Sequence, residues 1–148
     1  MNQFDLEKFI RENKIDAKII EFDKPTKTVE EATKRLGCKK SQIIKSIVLV
    51  KENGDGLITI VDGESKVDLE KVSLFAGKVR MANAEEAKKL TGYEIGGVPP
   101  IGHGCQILID EKVLENDIVY GGGGSICRIM SISPKELIKF GKVVNIRK

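Results

Sequence analysis

The chain holds little of the equipment from which catalytic centres are commonly built. It has one histidine, His103, no tryptophan, and three cysteines, Cys38, Cys105 and Cys127. The cysteines are odd in number, far apart and without C-x-x-C spacing, which argues against a disulfide framework and a cysteine-rich zinc site. A lone histidine gives poor support to a histidine-based metal centre, so the sequence calls for no metal and no cofactor. A Ser-His-Asp triad would have to use His103, and no G-x-S-x-G elbow is present to carry its serine. No stretch is apolar for long enough to span a bilayer. The opening "MNQFDLEKFIRENK" is polar and amphipathic and lacks the apolar core of a signal peptide, so a cytoplasmic location is expected.

A strong excess of one charge is missing too. The 25 basic and 22 acidic residues leave a formal net charge of +3. That balance permits a local basic face without demanding one. Hydrophobic residues make up 41% and charged residues 32% of the 148 positions, the profile of an ordinary globular chain with enough material for a core. The length, the lack of repeats and the lack of a linker point to one domain over 1–148.

Phe4, Leu6, Phe9 and Ile10 recur at near-helical period. "AKIIEF" reads as a strand. Thr28 with Glu31 forms a capping box for a short helix that Gly37 closes. "QIIKSIVLV" and "LITIV" read as strands joined by the hairpin turn "ENGDG". Next come a helix from Asp68 to Ala76, the short strand "KVRMA" and a helix capped by Asn83 and ended by Gly92. "CQILID", "IVYGGGG", "SICRIMS" and "KVVNIR" read as strands, with a helix opened by Ser133-Pro134 before the last. Hairpins mixed with short helices exclude regular βαβ alternation. The expected fold is α/β of the α+β kind: a mixed, largely antiparallel, barrel-like sheet flanked by short helices.

Within "QIIKSIVLV", Lys45 shares a strand face with Ile43, Ile47 and Leu49. An ammonium there must reach water, find a partner or lose its proton. Snorkelling past the strand end is the plain alternative. Two glycine-rich segments lie further along. In "GGVPPIGHG", from Gly96 to Gly104, Pro99 and Pro100 stiffen the loop and the glycines permit close approach to a ligand. Gly121, Gly122, Gly123 and Gly124 come after an apolar strand and, alone, read as a flexible hairpin. Neither segment is a Walker loop or a dinucleotide fingerprint. Asp110 closes "QILID" as a strand-end turn residue or as a cap for the residues after it. His103 reads equally as a solvated loop residue.

Lys45 in an apolar strand, "TGYEIGGVPPIGHG", "ILID" and an apolar strand entering a glycine run, in this order, resemble the YbaK/EbsC family. That family is related to the editing domain inserted in bacterial prolyl-tRNA synthetases. The resemblance spans nearly the whole chain. It implies a trans-editing aminoacyl-tRNA deacylase, a hydrolase of the ester in a mischarged tRNA, often tRNA for proline. It matches the family's lysine to Lys45, its Gly/Pro loop to Gly96–Gly102, its strand-end acid to Asp110 and its late glycines to Gly121–Gly123. The substrate would then be held by Gly96, Val98, Pro99, Pro100, Ile101, His103, Gly121, Gly122 and Gly123.

On that reading Gly97 and Gly102 shape an oxyanion hole from backbone N–H groups. Lys45 acts either charged, on phosphate or ester, or neutral, as a base. Asp110 orients Lys45 or binds the substrate's α-ammonium, and the ribose 2′-hydroxyl helps to activate water. Lys39, Lys40, Lys78, Lys88 and Lys89 are candidate contacts to the tRNA body, and a tRNA synthetase is a second candidate partner. The competing readings are a non-catalytic module that binds aminoacyl-adenosine or a nucleotide and recruits or regulates a synthetase, and a structural subunit.

Overall fold

The computed structural model describes residues 3–26 and 28–148, with the side chains of residues 3 and 4 excluded. The helices are α1 (Gln3–Glu12), α2 (Val29–Leu36), α3 (Leu69–Ala76), α4 (Ala84–Thr91) and α5 (Pro134–Leu137). The strands are β1 (Ala17–Glu21), β2 (Ile44–Lys51), β3 (Gly56–Asp62), β4 (Val79–Met81), β5 (Gln106–Asp110), β6 (Val119–Gly122), β7 (Arg128–Ile132) and β8 (Lys142–Val144).

Local chemistry sets most of these boundaries. Thr28 Oγ1 accepts the Glu31 N–H at 3.1 Å, and Gly37 ends α2 in the left-handed region at φ 67°. Asn83 and Glu86 form a reciprocal capping box on α4, which stops at Gly92. The "ENGDG" turn closes the β2–β3 hairpin through Lys51 and Asp55, with Gly54 at φ 92°. The helix opened by Ser133-Pro134 is shorter than the sequence pattern suggests and ends at Leu137.

The strands form two sheets, β1-β7-β6 and β4-β2-β3-β5-β8. The first is antiparallel throughout. The second is mixed, because β5 runs parallel to both β3 and β8. The sheets meet at a parallel bridge between Ile43 and Tyr120, so the architecture is barrel-like but not closed. The central strand β3 is buried on both faces, as a run like "LITIV" requires. Ile58 and Ile60 join Ile44, Val48, Met130 and Leu6 in the main core between the sheets and α1. Leu57 and Val61 pack with Leu49, Val72 and Leu108 in a second core beneath α3.

Candidate active site

Next to the junction of the two sheets lies a cleft of about 370 Å³. Three parts of the chain wall it: Ile43 to Ile47 of β2 and its approach, Thr28, Val29 and Ala32 of α2 and its cap, and the two glycine segments through Gly96, Val98, Gly121 and Gly122. Tyr120, Arg128 and Ile129 complete the floor. The volume falls in the class of small-ligand sites.

Lys45 enters this cleft half-buried. Its Nζ donates to the Ser65 carbonyl. Burial pushes its ammonium below the usual lysine range; Asp62 opposes that fall, Lys66 adds to it, and Glu30 opposes it weakly. Asp62 is fully buried at the end of β3, paired in register with Ile44. Its Oδ2 accepts the Glu64 N–H at 3.2 Å and lies 3.3 Å from Lys112 Nζ. Burial raises the Asp62 pKa, but the Ser65 hydroxyl, the Glu64 amide and Lys112 together outweigh it, and the net shift is downward. Asp62 is therefore a buried anion acting on Lys45. The sequence reading missed it because "VDG" looks like an ordinary strand end.

Polar groups in and near the cleft have unused hydrogen-bonding capacity. Ser46 Oγ in the cleft lining is buried without a hydrogen-bond partner among the described residues, and so is Asp62 Oδ1 outside that lining. Among the described residues, the backbone amides of Gly96 and Val98 have no partner in the hydrogen-bond network of the loops. The Arg128 guanidinium, by contrast, is held by Glu7 and by Glu21, the latter at 3.2 Å.

Of the residues expected from sequence, Lys45, Gly96, Val98, Gly121 and Gly122 come together as cleft lining. Pro100 stands just behind, against Gly121. The others lie deeper or elsewhere. Ile101 is fully buried in the main core, Pro99 is buried, and Gly102 packs beneath Leu6 and Phe9 of α1. Gly97 packs against the later glycine segment at Ser125, and Gly123 packs against the start of β7. A Cβ on Gly97 would stand 2.8 Å from Ser125 Cα, and one on Gly123 would stand 2.7 Å from the Arg128 carbonyl carbon.

Three expected roles meet occupied atoms. The Gly97 N–H donates to the Glu94 carbonyl at 3.0 Å and its carbonyl accepts from Gly124 at 2.9 Å, so this amide already has a partner. Asp110 is fully buried outside the cleft lining. Its Oδ1 accepts the N–H groups of Ile146 (2.9 Å) and Arg147 (3.2 Å), and its Oδ2 accepts from Lys112 N and pairs with the Arg147 guanidinium at 2.8 Å. It fastens the C-terminal segment and caps the 3₁₀ turn Glu111–Glu115; Asp62, not Asp110, is the carboxylate that bears on Lys45. His103 is buried rather than solvated. Its Nε2 bonds the Pro100 carbonyl at 3.2 Å while Nδ1 accepts the Cys105 N–H at 3.0 Å, which fixes the neutral tautomer with Nε2 protonated. Burial pushes its pKa down to about 4, against the weaker pull of the Pro100 carbonyl.

The aminoacyl-tRNA editing domain family matches residues 23–140. The chain belongs to that family. It is 32% identical over 125 residues to the uncharacterized protein YwhH of Bacillus subtilis, covering 82% of this chain and 80% of that one. It is 28% identical over 123 residues to the Enterococcus faecalis protein named "Putative Cys-tRNA(Pro)/Cys-tRNA(Cys) deacylase EbsC", covering 78% of this chain and 75% of that one. A crystal structure described as "a putative trans-editing enzyme for prolyl tRNA synthetase" superposes with a TM-score of 0.90 at 32% identity, over 99% of this chain and 96% of the other. This editing domain thus shares its mixed sheet and flanking helices with proteins of that kind. No helix among the described residues is long and apolar enough to cross a membrane.

Proposed function

We infer that this editing domain hydrolyses the ester joining a wrongly attached amino acid to the 3′ end of a tRNA, with tRNA for proline or a related tRNA as carrier. The observation that carries this reading is the convergence of Lys45 with both glycine segments on one cleft of about 370 Å³.

Water attacks the ester carbonyl, and the resulting tetrahedral intermediate expels the ribose oxygen, which takes up the proton. The oxyanion needs donors that are already in place. The amides of Gly96 and Val98 suit this task, because both residues line the cleft and their N–H groups have no hydrogen-bond partner among the described residues. Lys45 acts charged. Asp62 counters the effect of burial on its ammonium, and an anionic substrate would favour the protonated form further. Its ammonium holds the phosphate of the terminal adenosine or polarises the ester. The ribose hydroxyl next to the ester helps to orient the water. Around the reacting carbonyl, Ile43, Ile47 and Ile129 offer apolar surface to a small side chain, and Ser46 offers a hydroxyl.

The test is release of free amino acid from tRNAs charged with Ala, Cys, Ser, Thr and Pro. Turnover of at least one at a rate well above spontaneous hydrolysis is expected. Tight binding of every charged tRNA without release from any would instead make the domain a binding module.

A further inference from the structure

The cleft shares a wall with a second depression. Thr28, Val29 and Ala32 face the cleft, while Glu31, Lys34 and Arg35, one to three positions away on α2, line the depression with Lys24. A helix whose two sides serve two concave surfaces separates them by its own diameter, roughly 10–12 Å with side chains.

Basic residues are concentrated along this wall, as they also are in the C-terminal segment 135–148, where Lys135, Lys139, Lys142, Arg147 and Lys148 stand against Glu136. Residues 23–40 carry Lys24, Lys27, Lys34, Arg35, Lys39 and Lys40 against Asp23, Glu30 and Glu31, an excess of three. The formal net charge of the whole chain is +3, so the remainder is neutral in sum. Two of the three acids touch a basic neighbour only at long range, Asp23 to Arg35 and Glu30 to Lys40, both at 3.9 Å. Lys34 and Lys39 are exposed and have no ion pair among the described residues.

We propose that the α2 wall, with Lys24, Lys34, Arg35, Lys39 and Lys40, is the surface on which the acceptor-stem phosphates of the tRNA lie while its charged 3′ end enters the cleft. The identity of the ligand rests on the hydrolytic reading above; the position of the surface rests on the charge and the shared wall. A polyanion gains most where basic side chains are concentrated. The segment also runs into the cleft at both ends, through Thr26 on one side and Ile43 on the other. Of the lysines that composition alone left equivalent, Lys39 and Lys40 line neither concavity but follow α2 closely in the chain, where Lys40 pairs with Glu30 of α2. Lys78, Lys88 and Lys89 line neither concavity and lie elsewhere in the chain, the last two in α4.

The experiment compares wild type with the double variant Lys34→Glu/Lys39→Glu and with a charge-matched control, Lys78→Glu/Lys135→Glu. Binding of an uncharged tRNA transcript is measured against salt concentration. Hydrolysis of an aminoacyl-adenosine ester, too small to reach α2's outer face, is measured in parallel. The α2 variant should bind the transcript at least ten-fold more weakly. Its slope of log affinity against log salt should be shallower by about 1.4–1.8, the value for two lost phosphate contacts. Its rate on the small ester should equal that of wild type, and the control should bind like wild type. Equal weakening by both double variants, or an unchanged salt slope in the α2 variant, would overturn the proposal. So would displacement of the transcript by polyglutamate as effectively as by unlabelled transcript. Because binding is read without turnover, failure of the domain to hydrolyse any ester would refute the hydrolytic reading and leave the surface measurement standing.

Discussion

Asp62 and Asp110 are both fully buried carboxylates, yet only Asp62 bears electrostatically on Lys45. Asp62→Asn removes the main influence that opposes the effect of burial on Lys45, leaving Lys66 and Glu30 as its charged neighbours and Lys112 without its anion. The Lys45 pKa should fall further, so activity that depends on the ammonium should be lost at a lower pH than in wild type. A pH–rate profile from neutral to alkaline pH reads this directly. Asp110→Ala should act on stability instead. It strips a buried acceptor from two C-terminal amides and from the partly exposed Arg147 guanidinium, and leaving a buried amide without its acceptor costs about 1–3 kcal/mol. Denaturant unfolding should show that loss, while the surviving folded fraction keeps its rate on the small ester. His103 makes a third residue-scale prediction. Its folded pKa of about 4 lies below the unfolded value near 6.5, so the unfolded chain binds the extra proton first as pH falls. Stability is fully present above about pH 6.5 and declines toward pH 4, by roughly 3 kcal/mol in total. Protonation would also put a hydrogen on Nδ1, where the Cys105 amide now donates. His103→Gln should flatten this part of the stability profile, measured by melting temperature between pH 7 and 4.

At the scale of elements, the two glycine segments behave as one interlocked piece. A Cβ on Gly122 would lie 2.1 Å from the Val98 carbonyl oxygen, a backbone atom that has nowhere to go. Gly104, at φ 78°, has no atom within 4 Å of such a Cβ. Gly104→Ala should therefore cost only the left-handed strain of about 1–2 kcal/mol, whereas Gly122→Ala should cost clearly more and also slow hydrolysis. Equal melting temperatures for the two variants would refute the interlock. The sequence made much of this level legible. Caps at Thr28, Asn83 and Ser133, the "ENGDG" turn and the alternation around Lys45 are local signals, and each sits in the expected element. What stayed hidden depends on register between distant segments. Nothing local to Gly97 says that its amide is taken by Glu94 or that Ser125 packs on its Cα. Nothing in "QILID" says that β5 runs parallel to β3 and β8, the arrangement that sets Asp110 beside Ile146 and Arg147.

On the scale of the whole molecule, the cleft exists because the sheets remain open beside the Ile43–Tyr120 bridge while α2 covers the gap. The sequence pointed to an ammonium and two glycine segments; the fold adds α2 as the wall that joins the cleft to the basic surface. Lys45, Gly96, Val98, Gly121 and Gly122 meet there, and the other expected residues support the loop or the C-terminal segment. The central claim is that this cleft hydrolyses an aminoacyl ester through Lys45. The most direct measurement is single-turnover hydrolysis, at saturating enzyme, of the best substrate among the charged tRNAs, for wild type, Lys45→Ala and Lys45→Arg. Wild type should release the amino acid quickly. Both variants should melt as wild type does and bind the tRNA, yet react about 100-fold more slowly or worse, since a guanidinium fork does not replace the compact ammonium. A folded Lys45→Ala variant that hydrolyses the ester at the wild-type rate would contradict the account.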